Sequence, residues 1–322
     1  MKRLITVVML VVSALWALGA SAQMYPNRPI KLIVADSAGG APDQLGRLIT
    51  ERLSNNVNQP VVVDNRPGAG GALGAELAAK SAPDGYTLLL TTTAIYAILP
   101  NLRKNLPYDP VRDFVPITRI ATASNVLVVN NELPVKDIAE LVKLAKKKPG
   151  ALNYASAGVG TPAHLAGEML NLLADIKVVH VPYKGAAPAL ADVIGGNAQY
   201  IITSPLAAGA HMNGGRVRAL ATTGTQRNPS LPDLATIAET LPGYDITQTW
   251  GIVVPTGTPP EIVNKLSAEI VKVMNQPDVR EKVLATGATP VGDSPAQFEA
   301  FMTKERQRLG DVIAKRGIVL TD

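Results

Sequence analysis

The chain has 322 residues, no cysteine and a formal charge of +5 at pH 7. Without cysteine, thiol nucleophiles, cysteine metal sites and disulfide chemistry are excluded. Aromatic residues make up only 4% of the chain and no patch of interleaved basic and aromatic residues occurs, so no nucleic-acid-binding surface is indicated.

The first 22 residues have the features of an export signal. Lys2 and Arg3 form the charged start, residues 4–18 the apolar core, and residues 20–22 a small-residue cleavage site. The apolar run is short for a bilayer span, so we expect cleavage and an exported protein, with an uncleaved anchor as the alternative. The remaining chain is longer than one compact core usually serves, which predicts two lobes.

The beginning of the mature chain alternates strands with helices. A buried strand is predicted over 30–34, followed by a loop over 36–43 and a helix over 44–53 with apolar residues at helical spacing. Further strands are predicted over 61–64 and 87–91.

The segment 61–90 has the strand, turn, helix, turn and strand order of a βαβ unit, which indicates a parallel sheet. A dinucleotide fingerprint that begins at Gly68 and Gly70 needs a third glycine where Leu73 stands, and no acidic residue follows at a suitable spacing. We therefore predict a structural turn here, and no cofactor.

A second group of strands and helices follows. The strands are predicted over 153–155, 178–181, 199–202 and 218–221, and the helices over 135–147, 162–173, 186–194 and 205–212. The last quarter adds a strand over 250–254, a helix that begins near Pro260 and a helix over 295–315.

This alternation predicts an α/β fold of two doubly wound lobes. The last quarter is expected to return to the first lobe. The first lobe then comprises 23–124 plus 251–322 and the second 125–250, with crossovers near Ser124 and Trp250.

Several segments, in one order along the chain, resemble the substrate-binding receptors of the tripartite tricarboxylate transporter system, the Bug-type periplasmic solute receptors. These segments are Gly39-Gly40-x-x-Asp43, Asn-Arg-Pro-Gly-Ala-Gly-Gly at 65–71, Ala-Pro-Asp-Gly-Tyr-Thr at 82–87, Gly-Val-Gly-Thr-Pro-Ala-His-Leu-Ala-Gly-Glu at 158–168, Val-Pro-Tyr-Lys-Gly at 181–185, Leu-Pro-Asp at 231–233 and Val-Pro-Thr-Gly-Thr-Pro at 254–259.

The resemblance implies a type II-like periplasmic binding protein whose two lobes close on a small organic anion, usually a carboxylate. It also implies a monomer that delivers its ligand to permease subunits driven by an ion gradient, and that is not an enzyme. In such receptors, water molecules held by the first loop bridge to a ligand carboxylate, a role that falls on residues 38–43 here.

Two glycine-rich loops, 38–43 and 156–161, each open directly into a helix. Free amides at a helix start, aided by the helix dipole, bind an anion without an arginine. The candidate ligand-binding residues are Asp36, Ser37, Ala38, Gly39, Asp43, Thr92, Thr93, Ser156, Gly158, Thr161, Gly185 and Ser204.

Several candidates have a structural alternative. Asp43 is expected either to cap the first helix or to contact ligand, and Thr161 either to border the second amide cradle or to cap its helix. Of Thr91, Thr92 and Thr93, one hydroxyl is expected either to face the ligand or, like the others, only to finish the strand. Lys184 either offers a charge to the anion or faces solvent.

Asp36 departs from the family pattern, in which a proline and an aromatic residue usually precede the glycines; residues 35–38 here read Ala-Asp-Ser-Ala. Two carboxylates repel each other by about 1 kcal/mol at 4 Å in bulk water, and by more in a drier cleft. One hypothesis is therefore that Asp36 selects a ligand that carries an amino or other cationic group beside its carboxylate. The alternative is that Asp36 turns away and hydrogen-bonds its own loop.

Two other functions stay open from the sequence: a ligand sensor for an envelope signalling partner, and a secreted hydrolase or lyase using the same cleft. The enzyme is disfavoured because the sequence lacks a nucleophile-elbow motif, a phosphate-binding loop and a metal-spaced histidine cluster. A serine–histidine pair formed only in three dimensions is the remaining route to an enzyme. The three histidines, His164, His180 and His211, are interpreted as ordinary polar residues, and no metal is expected.

Overall fold

The computed structural model describes residues 25–228 and 230–316. The predicted export signal lies outside these residues. Over the two described ranges, no helix has both the length and the apolar character that a membrane crossing requires.

The described residues form two β-sheets flanked by helices. The strands are β1 (Ile30–Val34), β2 (Val61–Asn65), β3 (Thr87–Thr92), β4 (Phe114–Ser124), β5 (Val126–Asn130), β6 (Asn153–Ser156), β7 (Val179–Pro182), β8 (Tyr200–Thr203), β9 (Val217–Thr222), β10 (Thr247–Pro255) and β11 (Thr289–Pro290). The α-helices are α1 (Ala41–Val57), α2 (Ala72–Ala79), α3 (Leu99–Leu102), α4 (Ile138–Lys147), α5 (Pro162–Leu173), α6 (Ala186–Ile194), α7 (Pro205–Asn213), α8 (Ile237–Thr240), α9 (Pro260–Met274), α10 (Pro277–Ala285) and α11 (Pro295–Arg316).

The first sheet has six strands in the order β11-β4-β10-β3-β1-β2. Strand β1 pairs in parallel with β2 and β3, and β10 pairs antiparallel with β3 and β4. Alternate residues of its buried strands face opposite helix layers: Leu88 packs in a cluster with α1 and α9, and Leu89 in a cluster with α2 and α11. We call this sheet with its helices the first lobe.

The second sheet has five strands in the order β7-β6-β8-β5-β9. Strand β6 pairs in parallel with β7 and β8, while β5 pairs antiparallel with β8 and β9. This sheet with its helices is the second lobe, and the prediction of an α/β fold with two lobes is confirmed.

The chain passes between the lobes at two places that are tied together. Asn125, the single residue between β4 and β5, donates its backbone N–H to the hydroxyl of Thr223 at 2.9 Å, and Thr223 donates its own N–H to the Asn125 carbonyl at 2.9 Å. The backbones of Thr223 and Ile246 also form a hydrogen bond at 2.9 Å, next to the start of β10. Thr223 therefore joins both passages.

The first lobe takes the chain back at Thr247, slightly before the expected crossover at Trp250. This sheet membership supports a discontinuous first lobe, and the boundaries at 124/125 and 250/251 stay a prediction.

Strands β4 and β5 were not predicted from the sequence, nor were α10 and β11. Strand β4 contains Pro116, which normally argues against a strand inside a sheet because proline cannot donate to the ladder. Here the pairing of β4 with β10 shifts register between Ile252 and Val253, and Pro116 lies opposite Val253 at that irregularity.

Candidate functional site

A cavity of about 600 Å³ lies between the two lobes. Some of the candidate residues line it, namely Asp36, Ser37, Thr92, Gly158, Thr161, Gly185 and Ser204. The others, Ala38, Gly39, Asp43, Thr93 and Ser156, do not belong to its wall. The tertiary structure therefore brings both glycine-rich loops to one place.

Two backbone amides of the first loop are paired within the loop. Gly39 donates its N–H to Asp43 Oδ2 at 2.9 Å, and Gly40 donates to the Ser37 carbonyl at 3.2 Å. Helix α1 begins at Ala41, three residues earlier than predicted, because the segment with Pro42 in its first turn is already helical. The Ala41 N–H, on the cavity wall, donates to no group among the described residues.

Asp43 is an anchor of this loop and not the residue that precedes the helix; that position belongs to Gly40, so the capping prediction was wrong in its register. Its buried carboxylate also accepts hydrogen bonds from Arg47 Nε and Asn65 Nδ2, both at 3.0 Å. Burial acts to raise the pKa of Asp43, but the hydrogen bonds from Arg47, Gly39 and Asn65 together hold it below its usual value. The carboxylate therefore stays charged and keeps the loop in shape.

Asp36 hydrogen-bonds its own loop and also lies on the cavity wall, so its selection of a ligand stays a prediction. Its Oδ1 accepts the backbone N–H of Ser37 at 2.7 Å and the Ser37 hydroxyl at 3.3 Å, so it does hydrogen-bond its own loop. It also lines the cavity. Burial raises the pKa of Asp36, only partly offset by the Ser37 hydrogen bonds.

The second loop is held by buried side chains beneath it. Ser156 Oγ accepts the Gly158 N–H at 3.1 Å, and His164 Nδ1 accepts the Gly160 N–H at 3.2 Å. Thr161 precedes helix α5, where its hydroxyl accepts the His164 N–H at 3.3 Å and donates to the Gly158 carbonyl at 2.7 Å. The capping alternative for Thr161 is therefore correct, although the residue also lines the cavity.

Unpaired backbone amides of this region remain for a ligand. Val159 and Ala163 lie on the cavity wall, and their N–H groups donate to no group in the described part of the chain. Ala163 is in the first turn of α5, where the helix dipole favours negative charge. Together with Ala41 of α1, they present unpaired peptide donors from both lobes to one cavity.

His164 and His180 are more than ordinary polar residues. Their rings stack with centroids 4.2 Å apart, and the Tyr154 ring stacks on His180 at 4.8 Å. Burial lowers the pKa of His164 to about 4, and burial together with the neighbouring His164 lowers the pKa of His180 to about 3. Both rings are therefore neutral at physiological pH and can accept hydrogen bonds.

A serine–histidine pair does form, between Ser156 Oγ and His180 Nε2 at 2.6 Å. Ser156 is fully buried and is not part of the cavity wall. The pair holds the second loop through Gly158 and is not placed to attack a ligand in the cavity. Among the described residues, no group of three or more side chains could hold a metal ion.

The remaining candidate residues either line the cavity or support the strands behind it. Thr92 lines the cavity, whereas the buried Thr93 hydroxyl accepts the N–H of Thr249 at 2.8 Å and so joins β3 to β10. Ser204 lines the cavity and caps α7 through the Ala207 N–H at 3.2 Å. Lys184 is exposed at the cavity wall.

Sequence reasoning missed several wall residues. The turn over 67–71, interpreted as structural, lines the cavity with all five of its residues. Its glycines were the available signal, but the dinucleotide test directed attention to a cofactor. Asn125, Arg103 and Gln248 also line the cavity, and no motif in the sequence marks them.

The lobes approach each other closely at glycines. A Cβ atom at Gly185 would lie 3.0 Å from Ser37 Oγ of the first lobe, and one at Gly70 would lie 2.9 Å from the Val159 carbonyl oxygen of the second. At Gly70 the opposing backbone leaves no room for a Cβ, and at Gly185 the Ser37 hydroxyl would have to shift, so glycine at these positions permits the lobes to meet around the cavity.

Two α/β lobes around a shared cavity with peptide donors from each define a two-lobed binding protein. A family model for the tripartite tricarboxylate transporter family receptor matches residues 45–318, and the chain belongs to this family, as the motifs indicated. Members of the family are periplasmic binding proteins.

Individual relatives match along nearly the whole chain. Protein BugT of Bordetella pertussis is 35% identical over 323 residues, covering 99% of each chain. The structure of R. palustris Rpa4515 with adipate has a TM-score of 0.89 at 35% identity, covering 92% of this chain and 99% of that one. The structure of MatC (Rpa3494) from Rhodopseudomonas palustris with bound malate has a TM-score of 0.85 at 30% identity, covering 90% of this chain and 100% of that one.

The histidine stack predicts a loss of stability in acid. The folded protein holds both rings neutral, whereas the unfolded chain protonates them below about pH 6.5. Because the folded pKa values are lowered, their contribution to stability is complete above about pH 6.5 and is lost as the pH falls towards about 4 and about 3. Replacing His180 by Gln should reduce the slope of unfolding free energy against pH in this window by up to about 1.4 kcal/mol per pH unit.

Denaturant unfolding at several pH values measures this slope. Ser156→Ala is the control, since it removes the hydrogen bond to His180 but keeps both rings, and should lower stability while retaining the slope. An unchanged slope in His180→Gln would show that the buried ring does not contribute to the acid sensitivity.

Proposed function

We propose that this protein is a periplasmic solute receptor that captures a small organic carboxylate between its lobes and delivers it to an ion-gradient-driven membrane permease. The observation that carries the proposal is the convergence of unpaired peptide donors, from Ala41 in the first lobe and from Val159 and Ala163 in the second, on one cavity. Peptide N–H groups at helix starts are anion sites by their geometry and dipole.

The cavity suits a small ligand. A volume of about 600 Å³ falls within the range of about 300–1,000 Å³ common for small-molecule sites. The relatives Rpa4515 and MatC hold adipate and malate, which are dicarboxylates. By similarity, we assign a carboxylate ligand to this chain.

Location and partners follow from the family. The export signal predicted over residues 1–22 would direct the chain to the periplasm, where its relatives act as binding proteins. The receptor would act as a monomer, release its ligand unchanged to the permease subunits of a tripartite transporter, and carry out no catalysis. The burial of Ser156 away from the cavity wall supports the non-enzymatic role.

Thermal unfolding of the mature protein with a carboxylate panel tests this function. Adipate, malate, succinate, glutamate and hexanoate are compared with 1,6-hexanediol, which matches adipate in length but lacks charge. A ligand present at a hundred times its Kd should stabilise the folded state by about 2.7 kcal/mol and raise the melting temperature. Chromatography should recover it unchanged. A panel without any carboxylate effect, or consumption of the ligand, contradicts the proposal.

We expect tight binding to require the close approach of Gly185 in the second lobe to Ser37 in the first. In Gly185→Ala, the added Cβ would lie 3.0 Å from Ser37 Oγ of the first lobe. The backbone φ of +114° is also unfavourable for alanine. We expect at least a tenfold loss of affinity, measured by calorimetry with the best ligand from the panel.

Gly196→Ala is the matched control. Its φ of +82° is also unfavourable for alanine, but its nearest neighbour is Asn130 Nδ2 at 3.8 Å, within the same lobe. This variant should lose stability and keep its affinity. Equal affinity losses in both variants would show that general strain, not the contact between lobes, weakens binding.

A second candidate ligand class is an amino-bearing carboxylate. Asp36 supplies a carboxylate to the cavity wall, and Asn125 supplies an amide oxygen that is buried and has no hydrogen-bond partner among the described residues. Both are acceptors, which suits an ammonium group on the ligand.

Paired ligands test the role of Asp36. The native protein should prefer aspartate over succinate and 2-aminoadipate over adipate, and Asp36→Asn should reduce each preference about fivefold, equivalent to about 1 kcal/mol. Asp84→Asn, which alters a carboxylate outside the cavity wall, is the control. If the preferences in Asp36→Asn equal those of the native protein, Asp36 does not select the ligand.

A further inference from the structure

Arg103 follows the short helix α3 and lines the cavity from an element separate from both glycine-rich loops. Its backbone N–H donates to the Leu99 carbonyl at 2.9 Å, which fixes the start of the side chain. Leu99 lies beside the 67–71 turn, since a Cβ added at Gly70 would be 3.5 Å from Leu99 Cδ2. The backbone of Arg103 is therefore held in place by helix α3, which packs near the 67–71 turn.

The Arg103 side chain lacks a protein partner. It is half-buried, its Nε is buried without a hydrogen-bond acceptor, and it forms no ion pair within the described ranges. Other arginines that lie near carboxylates use them: Arg47 pairs with Asp43 at 3.0 Å, and Arg119 with Asp293 at 3.0 Å. An unpaired guanidinium away from bulk water carries a desolvation cost that an anion would relieve.

The charges on the cavity wall favour an anion at this position. Within the described residues, Asp36 is the one acid on the wall, and its Oδ1 accepts two hydrogen bonds from Ser37. Lys184 is the other cation of the wall, but its side chain is exposed. Arg103 is thus the cation of the wall that is both sheltered and unpaired.

We propose that Arg103 binds a second carboxylate of the ligand and determines the preference of this receptor for dicarboxylates over monocarboxylates. The inference rests on the proposed function, in which peptide donors of the two loops hold the first carboxylate. A guanidinium presents a planar set of donors that matches a carboxylate in two parallel hydrogen bonds, which a lysine cannot reproduce.

Matched ligand pairs that differ by one carboxylate test the role of Arg103. Affinities of the mature protein for adipate and hexanoate, and for succinate and butyrate, are measured by calorimetry. Arg103→Met should weaken adipate or succinate tenfold to a hundredfold, equal to about 1.4–2.8 kcal/mol. The monocarboxylates should change less than threefold, and Arg103→Lys should fall between the native protein and Arg103→Met.

Arg112→Met is the matched control. The Arg112 side chain is exposed and lies outside the cavity wall, so both diacid and monoacid affinities should stay native. Ligand-free melting temperatures separate binding from folding: since Arg103 has no protein partner to lose, Arg103→Met should melt no lower than the native protein.

The outcomes separate the two proposals. Equal losses for diacids and monoacids in Arg103→Met, or no change in either, overturn the role of Arg103 while the carboxylate receptor stands. A native protein that binds diacids and monoacids equally overturns it as well. A native protein that binds no carboxylate ends the proposed function, and the inference with it.

Discussion

The arrangement of the molecule depends on how Thr223 ties the two chain passages between the lobes. Its backbone and hydroxyl bond to Asn125 in one passage, and its carbonyl bonds to Ile246 at the entrance of the other. Because the passages are joined, the chain crosses between the lobes at neighbouring positions, with β4 and β10 side by side in the first sheet. The loops that precede α1 and α5 therefore face the same cavity.

Within that arrangement, each loop is shaped by buried polar side chains, not by the ligand. The carboxylate of Asp43 holds the first loop, and the Ser156, His164 and His180 group holds the second. A buried donor without an acceptor costs about 1–3 kcal/mol, and these side chains supply acceptors to Gly39, Gly158 and Gly160. The unpaired amides of Ala41, Val159 and Ala163 lie on the cavity wall, where an anion can accept from them at little cost in loop ordering.

Much of this could be predicted from the sequence because the signals are local. The alternation of buried strands with amphipathic helices identified the α/β class, and proline in the first turn placed the start of α9 at its observed residue, Pro260. The glycine-rich loops before helices were recognised for the same reason, since both their backbone freedom and their helix starts are encoded within a few residues. Strand β4 was missed because its proline is tolerated only through a register shift against β10, a partner more than a hundred residues away.

The sequence by itself determined the class of fold, the family and the two loops that open into helices, because each depends on residues that are neighbours in the chain. Only the tertiary structure decided which residues line the cavity. Asp43 and Ser156 lie behind the wall and support the loops, whereas Asn125, Arg103 and the 67–71 turn lie on the wall. It also stacked His164 on His180. The physical reason is that burial, ion pairing and hydrogen-bond satisfaction depend on contacts between distant segments, which no short pattern specifies.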